Sequence, residues 1–198
     1  MTEKAAPDPN ASPLTDRAGA ALGTRPAPRT KSDPMVTRDA TPTDIPHIHR
    51  LVRGLAEYEN LLDKFTATEA DFHAALFGPT PRAHAIMAQP ADAPPVGIAL
   101  FYYTFGTFGC RPNIFLEDLF VEPAYRKHGL GIALLRALAQ RAVAENCDRI
   151  DWHVLEWNAP SIAFYESLGA TRMTDWHVRQ LQGDALQALA SRNSAGQE

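Results

Sequence analysis

Hydrophobic positions along the chain alternate between a period of two and a period near 3.6, and the changes of period delimit the elements. Met35 to Ala40 reads as an edge strand, and Thr41 to Pro46 as the turn into a helix carrying Ile45, Ile48, Leu51, Val52 and Leu55 at helical spacing. Thr68 with Asp71 three places on forms a capping box for a second, short helix that stops at Gly78. Ala83 to Ala88 and Val96 to Phe108 are two strands joined through Pro90 to Pro95, a hairpin feeding a further strand around Phe115. Ile132, Leu135, Leu138, Ala139 and Val143 repeat as a helix, and Arg149 to Leu155 as a strand. Asn158 can cap a helix bearing Ile162, Phe164, Tyr165 and Leu168 that Gly169 ends. Trp176 to Leu181 is expected to be a late strand and Asp184 to Ala190 a last helical turn or two. The order strand, helix, strand, helix after Phe115 makes those two strands parallel neighbours. The fold class is therefore α/β, a mixed sheet that is antiparallel first and locally parallel later.

The junction FLEDLFVEPAYRKHGLG, residues 115 to 131, breaks this pattern in a way that points to chemistry. Leu116, Leu119, Phe120 and Val121 have the composition of an inner strand, yet Glu117 and Asp118 interrupt it with two adjacent acids. Pro123 ends the strand, and Gly129 and Gly131 permit a tight turn in which backbone N–H groups converge on one anion. The helix that follows aims its positive end at the same place, so a diphosphate is the expected occupant. Arg126 offers a planar fork for phosphate oxygens, and Lys127 and His128 add donors. A dinucleotide fingerprint would need glycine where Leu134 stands, and the Gly-Lys-Ser/Thr of a P-loop occurs nowhere.

What remains, Arg126-x-x-Gly129-x-Gly131, resembles the acetyl-coenzyme A signature of the GCN5-related N-acetyltransferases. About thirty residues later EWNAPSIAFYESLGA, residues 156 to 170, again resembles the family's pattern. With LAEYE at Leu55 to Glu59 and FLEDLFV at Phe115 to Val121, the resemblance is to the diamine (spermidine/spermine) N-acetyltransferases and the small-amine enzymes around them, over roughly residues 35 to 190. It implies an acetyltransferase fold whose two central strands splay to admit the pantetheine arm, with acetyl-CoA as cosubstrate. Leu119, Phe120, Val121, Arg126, Lys127, His128, Gly129, Leu130, Gly131, Ile132, Asn158, Ser161 and Tyr165 match the positions that hold it.

Acyl transfer to an amine imposes three needs. A lysine-like ammonium, with a pKa near ~10.4, must lose a proton before it can attack. Glu117, expected to be buried in its strand, matches the base acting through a water; it equally suits a role attracting a cationic acceptor. The developing oxyanion needs a donor, which a backbone N–H between Leu119 and Val121 would supply. The departing thiolate gains from a proton, and Tyr165 matches the family's general acid, although a Tyr after Phe on an amphipathic helix is also ordinary core packing. Tyr58, Glu59, Glu117 and Asp118 match an acidic acceptor pocket of the diamine branch, or, for the first two, the solvated end of a helix. Trp152 and His153 depart from the more apolar strand of the animal diamine enzymes, which leaves lysine analogues or an aminoglycoside-sized acceptor open beside spermidine.

Composition narrows the alternatives. A chain of 198 residues with 45% hydrophobic content supports one enzyme domain, residues 35 to 190, with a C-terminal stretch 191 to 198 expected to be disordered. The first 34 residues, rich in Ala and Pro and poor in large apolar side chains, are expected to be a disordered tail. A net charge of −4 gives no basic footprint for nucleic acid and mildly favours cationic acceptors. Two distant cysteines, Cys110 and Cys147, no apolar leader and no run of membrane-spanning length point to a cytoplasmic protein. Scattered histidines, with His47 and His49 diverging on a helix, give no metal site. The resemblance implies a homodimer. Two rival functions are a protein lysine acetyltransferase, which needs an open groove, and a non-catalytic coenzyme A sensor, which would not need Tyr165 and Glu117.

Overall fold

The computed structural model describes residues 35–91 and 93–192; the expected N-terminal tail and residues 193–198 lie outside the described residues. The described chain forms two compact units, one ending at His153 and one beginning at Val154.

The first unit is built on a five-stranded sheet of order β1-β2-β3-β4-β5, comprising β1 (Met35–Asp39), β2 (His84–Pro90), β3 (Gly97–Gly106), β4 (Arg111–Val121) and β5 (Ile150–Trp152). The first four strands pair antiparallel and β5 joins β4 in parallel, so the mixed sheet expected from the hydrophobic pattern is present. Helix α1 (Ile45–Tyr58) follows a short 3₁₀ turn at Pro42–Asp44, and α2 (Glu69–Phe77) begins at the Thr68–Asp71 capping box, whose Thr68 oxygen accepts from the Asp71 N–H at 3.2 Å. Helix α3 (Leu130–Ala144) connects β4 to β5.

Alternation along the strands decides which helix each face meets. Ala85, Met87, Ile98, Leu100 and Phe120 form one apolar cluster with Ile45, Ile48 and Leu51 of α1 and Leu76 of α2. Gly54 lets α1 come close: a Cβ there would stand 3.1 Å from the Phe120 ring. Phe101, one residue on from Leu100, is fully buried on the other face, where Arg141 of α3 stacks 5.5 Å above its ring. The start of α1 is pinned to β1 by Arg38, which donates to both carboxylate oxygens of the buried Asp44 at 2.7 and 2.8 Å. Asp44 in turn accepts from the Thr41 N–H at 2.8 Å. The Arg38 guanidinium is the largest cause holding the Asp44 carboxyl down at about 2, well below its usual range.

The second unit contains α4 (Ala159–Ser167) and α5 (Gly183–Ala190). The strand expected at Trp176 to Leu181 is not formed: residues 170–182 have no regular structure. Alternation of Trp176 and Val178 satisfies a strand's pattern, but a strand also needs a partner to take its backbone groups, and no pairing of this segment occurs among the described residues.

Candidate active site

The pairing of β3 with β4 slips by one residue: Phe101 faces Leu116, the next partner pair is Leu100 with Asp118, and Glu117 is the extra residue of a β-bulge. A bulge shifts which backbone groups point to which neighbour. Before it, the Ile114 N–H donates toward the β5 side, to the Arg149 carbonyl at 3.1 Å. After it, the Glu122 N–H donates toward β3, to the Val96 carbonyl at 2.9 Å, so Leu119 and Val121 turn their backbone groups to the β5 side. There β5 has already left, because the β4–β5 ladder ends at Leu116 with Trp152. The β4–β5 ladder thus stops short of Leu119 to Val121, the splay that the family resemblance implies.

The chain then turns through Pro123–Tyr125 into a loop whose backbone is bent by two residues at positive φ, Lys127 at 63° and Gly129 at 79°. Gly129 is the N-cap of α3 and sits where a side chain would be strained. In the first turn, Leu130, Gly131 and Ile132, the Leu130 side chain is buried in the core and that of Ile132 is half exposed. A 15-residue helix starting at this loop aims its N–H groups and its positive dipole end at whatever lies against it.

Arg126 does something the sequence did not reveal. Its Nε donates to the Val121 carbonyl at 2.9 Å, and its guanidinium stacks 4.6 Å above the Tyr58 ring and 5.6 Å from that of Phe120. The side chain whose fork was expected to meet phosphate thus also joins the β4 edge to the end of α1 through its Nε and one face.

Tyr58 closes α1 and Glu59 follows it, on the face of the sheet where Asp118 lies opposite Leu100. Burial, then the charges of Glu117 and Glu59, push the Asp118 carboxyl up to about 7. Burial also pushes Glu59 up. Glu117 itself is exposed, which corrects the expectation that it is the buried acid of the pair: the bulge turns Glu117 out and leaves Asp118 half-buried. Tyr102, which no motif singles out, lies near Glu117 too, since burial and the Glu117 charge both raise its hydroxyl. The one available signal was two consecutive acids in an otherwise apolar strand, a break in alternation that a bulge resolves.

In the second unit, Asn158 caps α4 by accepting from the Ser161 N–H at 3.4 Å, as expected, and Tyr165 lies in that helix beside Phe164, ring centroids 5.5 Å apart.

Residues 52–170 match the model of the Acetyltransferase (GNAT) family. The chain belongs to that family. The thialysine N-epsilon-acetyltransferase of Bos taurus is 35% identical, the alignment covering 80% of this chain and 98% of the relative. The L-ornithine N5-acetyltransferase of Arabidopsis thaliana is 30% identical over 96% of this chain and 97% of its own. Among solved structures, an integron cassette protein from V. cholerae superposes with a TM-score of 0.68 at 24% identity, covering 80% of this chain and 98% of that one, a likeness of fold. The GNAT chain is accordingly an acyltransferase, and the two relatives just described are named N-acetyltransferases.

Proposed function

We propose that this acetyltransferase moves the acetyl group of acetyl-CoA to the primary amine of a small cationic acceptor. The observation that carries the reading is the coincidence at one bulge of an open strand edge on one side and three carboxylates, Glu59, Glu117 and Asp118, on the other. Acetyl-CoA, when bound, supplies a thioester carbonyl activated toward attack. The residues present suit such a carrier: free strand edges accept an amide-bearing arm, and a helix N-terminus entered through residues at positive φ suits a diphosphate.

In this reading the Leu119 backbone groups and the Val121 N–H orient the pantetheine arm, and an N–H of that edge stabilises the oxyanion. Lys127, His128 and Gly129 with the first turn of α3 hold the diphosphate. Glu59 and Asp118 attract the ammonium of the acceptor, and exposed Glu117 takes its proton through water. Tyr165 returns a proton to the thiolate; what supports this is the Asn158, Ser161, Phe164, Tyr165 pattern of α4 and its likeness to the family's. A homodimer and a diamine, polyamine or lysine-like acceptor rest on the same resemblance, and a cytoplasmic location on the two distant cysteines, Cys110 and Cys147. The test is thiol release with acetyl-CoA and a panel of diamines, polyamines, basic amino acids and peptides. Multiple turnover with small amines and none with peptides supports the reading; turnover confined to peptides overturns it.

A further inference from the structure

The acceptor side of the bulge is bounded by a row of three rings running across β3, β4 and β5. Phe115 lies in the centre, stacked on Tyr102 at 5.2 Å between centroids and met edge-on by His153 at 5.0 Å. Tyr102 shares its face of β3 with Leu100, and Phe115 faces Tyr102 across the ladder, so the row lies on the α1 face beside Glu117. His153 follows Trp152, the last residue of β5 paired to β4. Glu117 and His153 therefore stand on opposite lips of the splay, each one residue past the final pair, and the His153 ring turns to the same face.

The two lips differ in chemistry. The β4 lip is acidic, with Glu117, Asp118 and Glu59. On the β5 lip Asp151, two residues before His153, is paired with Arg149, whose Nε donates to its two oxygens at 3.1 and 2.8 Å. That leaves an exposed imidazole, which offers an N–H to an acceptor whether the ring is neutral or charged. A molecule lying across the apolar row with its ammonium at the acidic lip would meet a hydrogen-bond donor, not an acid, at its other end. Parallel strands stand about 4.8 Å apart and farther once they part, a gap that a short methylene chain bridges.

We propose that His153 is a specificity-determining residue that donates to the α-carboxylate of a basic amino acid whose side-chain amine lies at Glu117, so that amino acids are preferred to the diamines that lack the carboxylate. This rests on the acetyltransferase reading above and names the acceptor class for the same site.

Matched acceptors test it: L-ornithine against 1,4-diaminobutane and L-lysine against 1,5-diaminopentane, with kcat and KM measured separately on the full chain. In the native chain kcat/KM favours the amino acid of each pair. Removing one hydrogen bond to a charged group corresponds to about tenfold, so His153→Leu should lower kcat/KM for the amino acids about tenfold more than for the diamines, chiefly through KM. His153→Gln, which keeps a donor, should recover most of the preference, and His153→Glu should invert it. A ratio unchanged in His153→Leu, or amino acid and diamine falling together through kcat, overturns the assignment of His153 while leaving the function intact. Diamines preferred by the native chain overturn it as well. Absence of thiol release with every amine would remove both this inference and the reading on which it rests.

Discussion

Asp118 is the residue whose ionisation should be visible in both folding and turnover. Its carboxyl titrates at about 7 in the folded chain against an ordinary value of 3.8, so between those values the folded state holds a proton that the unfolded state has released. Stability is therefore expected to fall as pH rises through that window, by at most about 4 kcal/mol, with the penalty complete above pH 7 and absent below 3.8. Asp118→Asn should flatten the fall, which thermal melts from pH 4 to 8 would read. If the ionised form attracts the ammonium, kcat/KM for the amine should rise through pH 7 in the native chain and lose that limb in Asp118→Asn. Tyr165 makes a separate prediction: Tyr165→Phe should lower kcat by about 10²-fold or more while leaving the KM for acetyl-CoA near its native value, since a general acid acts on the leaving group and not on donor binding. Equal kcat in pre-steady-state and steady-state assays of the variant and the native chain would assign Tyr165 to packing.

At the scale of elements, the loop before α3 and the bulge in β4 carry the design. Gly129→Ala places a Cβ at φ 79°, where side chains cost about 1–2 kcal/mol, although its nearest contact would be the Ile132 side chain at 3.9 Å. The expected outcome is a lower melting temperature with a raised KM for acetyl-CoA; an unchanged KM would separate the loop from the donor. Arg126→Lys keeps the charge but removes the planar stack on Tyr58 and the Nε bond to Val121, so kinetic constants for donor and acceptor should both worsen. Asp44→Ala should destabilise by about 1–3 kcal/mol through the loss of its bonds to Arg38 and Thr41.

These elements also show what could be read before any coordinates. The glycine turn, both helix caps at Thr68 and Asn158, and the parallel β4–β5 pair were legible because each depends on local chemistry that a few letters specify. The bulge was not, since a register slip is a relation between strands: Glu117 and Asp118 look equivalent in sequence, and only their partners in β3 decide which one is buried. Arg126 on Tyr58 is equally silent, as it joins positions 68 residues apart in the chain. The strand expected at Trp176 to Leu181 fails for the same reason, a pattern without a partner.

For the whole molecule, the described residues contain no helix long and apolar enough to cross a membrane, and the chain's net charge of −4 suits cationic acceptors weakly at best. In the proposed function, attraction of a cationic acceptor therefore rests on the local acids at the bulge, Glu59, Glu117 and Asp118. Salt should test this scale: raising ionic strength from 0.05 to 0.5 M shortens the Debye length severalfold yet screens half-buried carboxylates little, so the KM for the amine should change only modestly. The central claim, that the open β4 edge and the turn into α3 form a seat for an acyl carrier, is tested most directly by calorimetric titration of the folded chain with acetyl-CoA and with free coenzyme A. A saturable one-to-one heat with both, weakened in Gly129→Ala, is the expected result. No heat with either carrier, from material shown to be folded by its melting transition, would contradict the account.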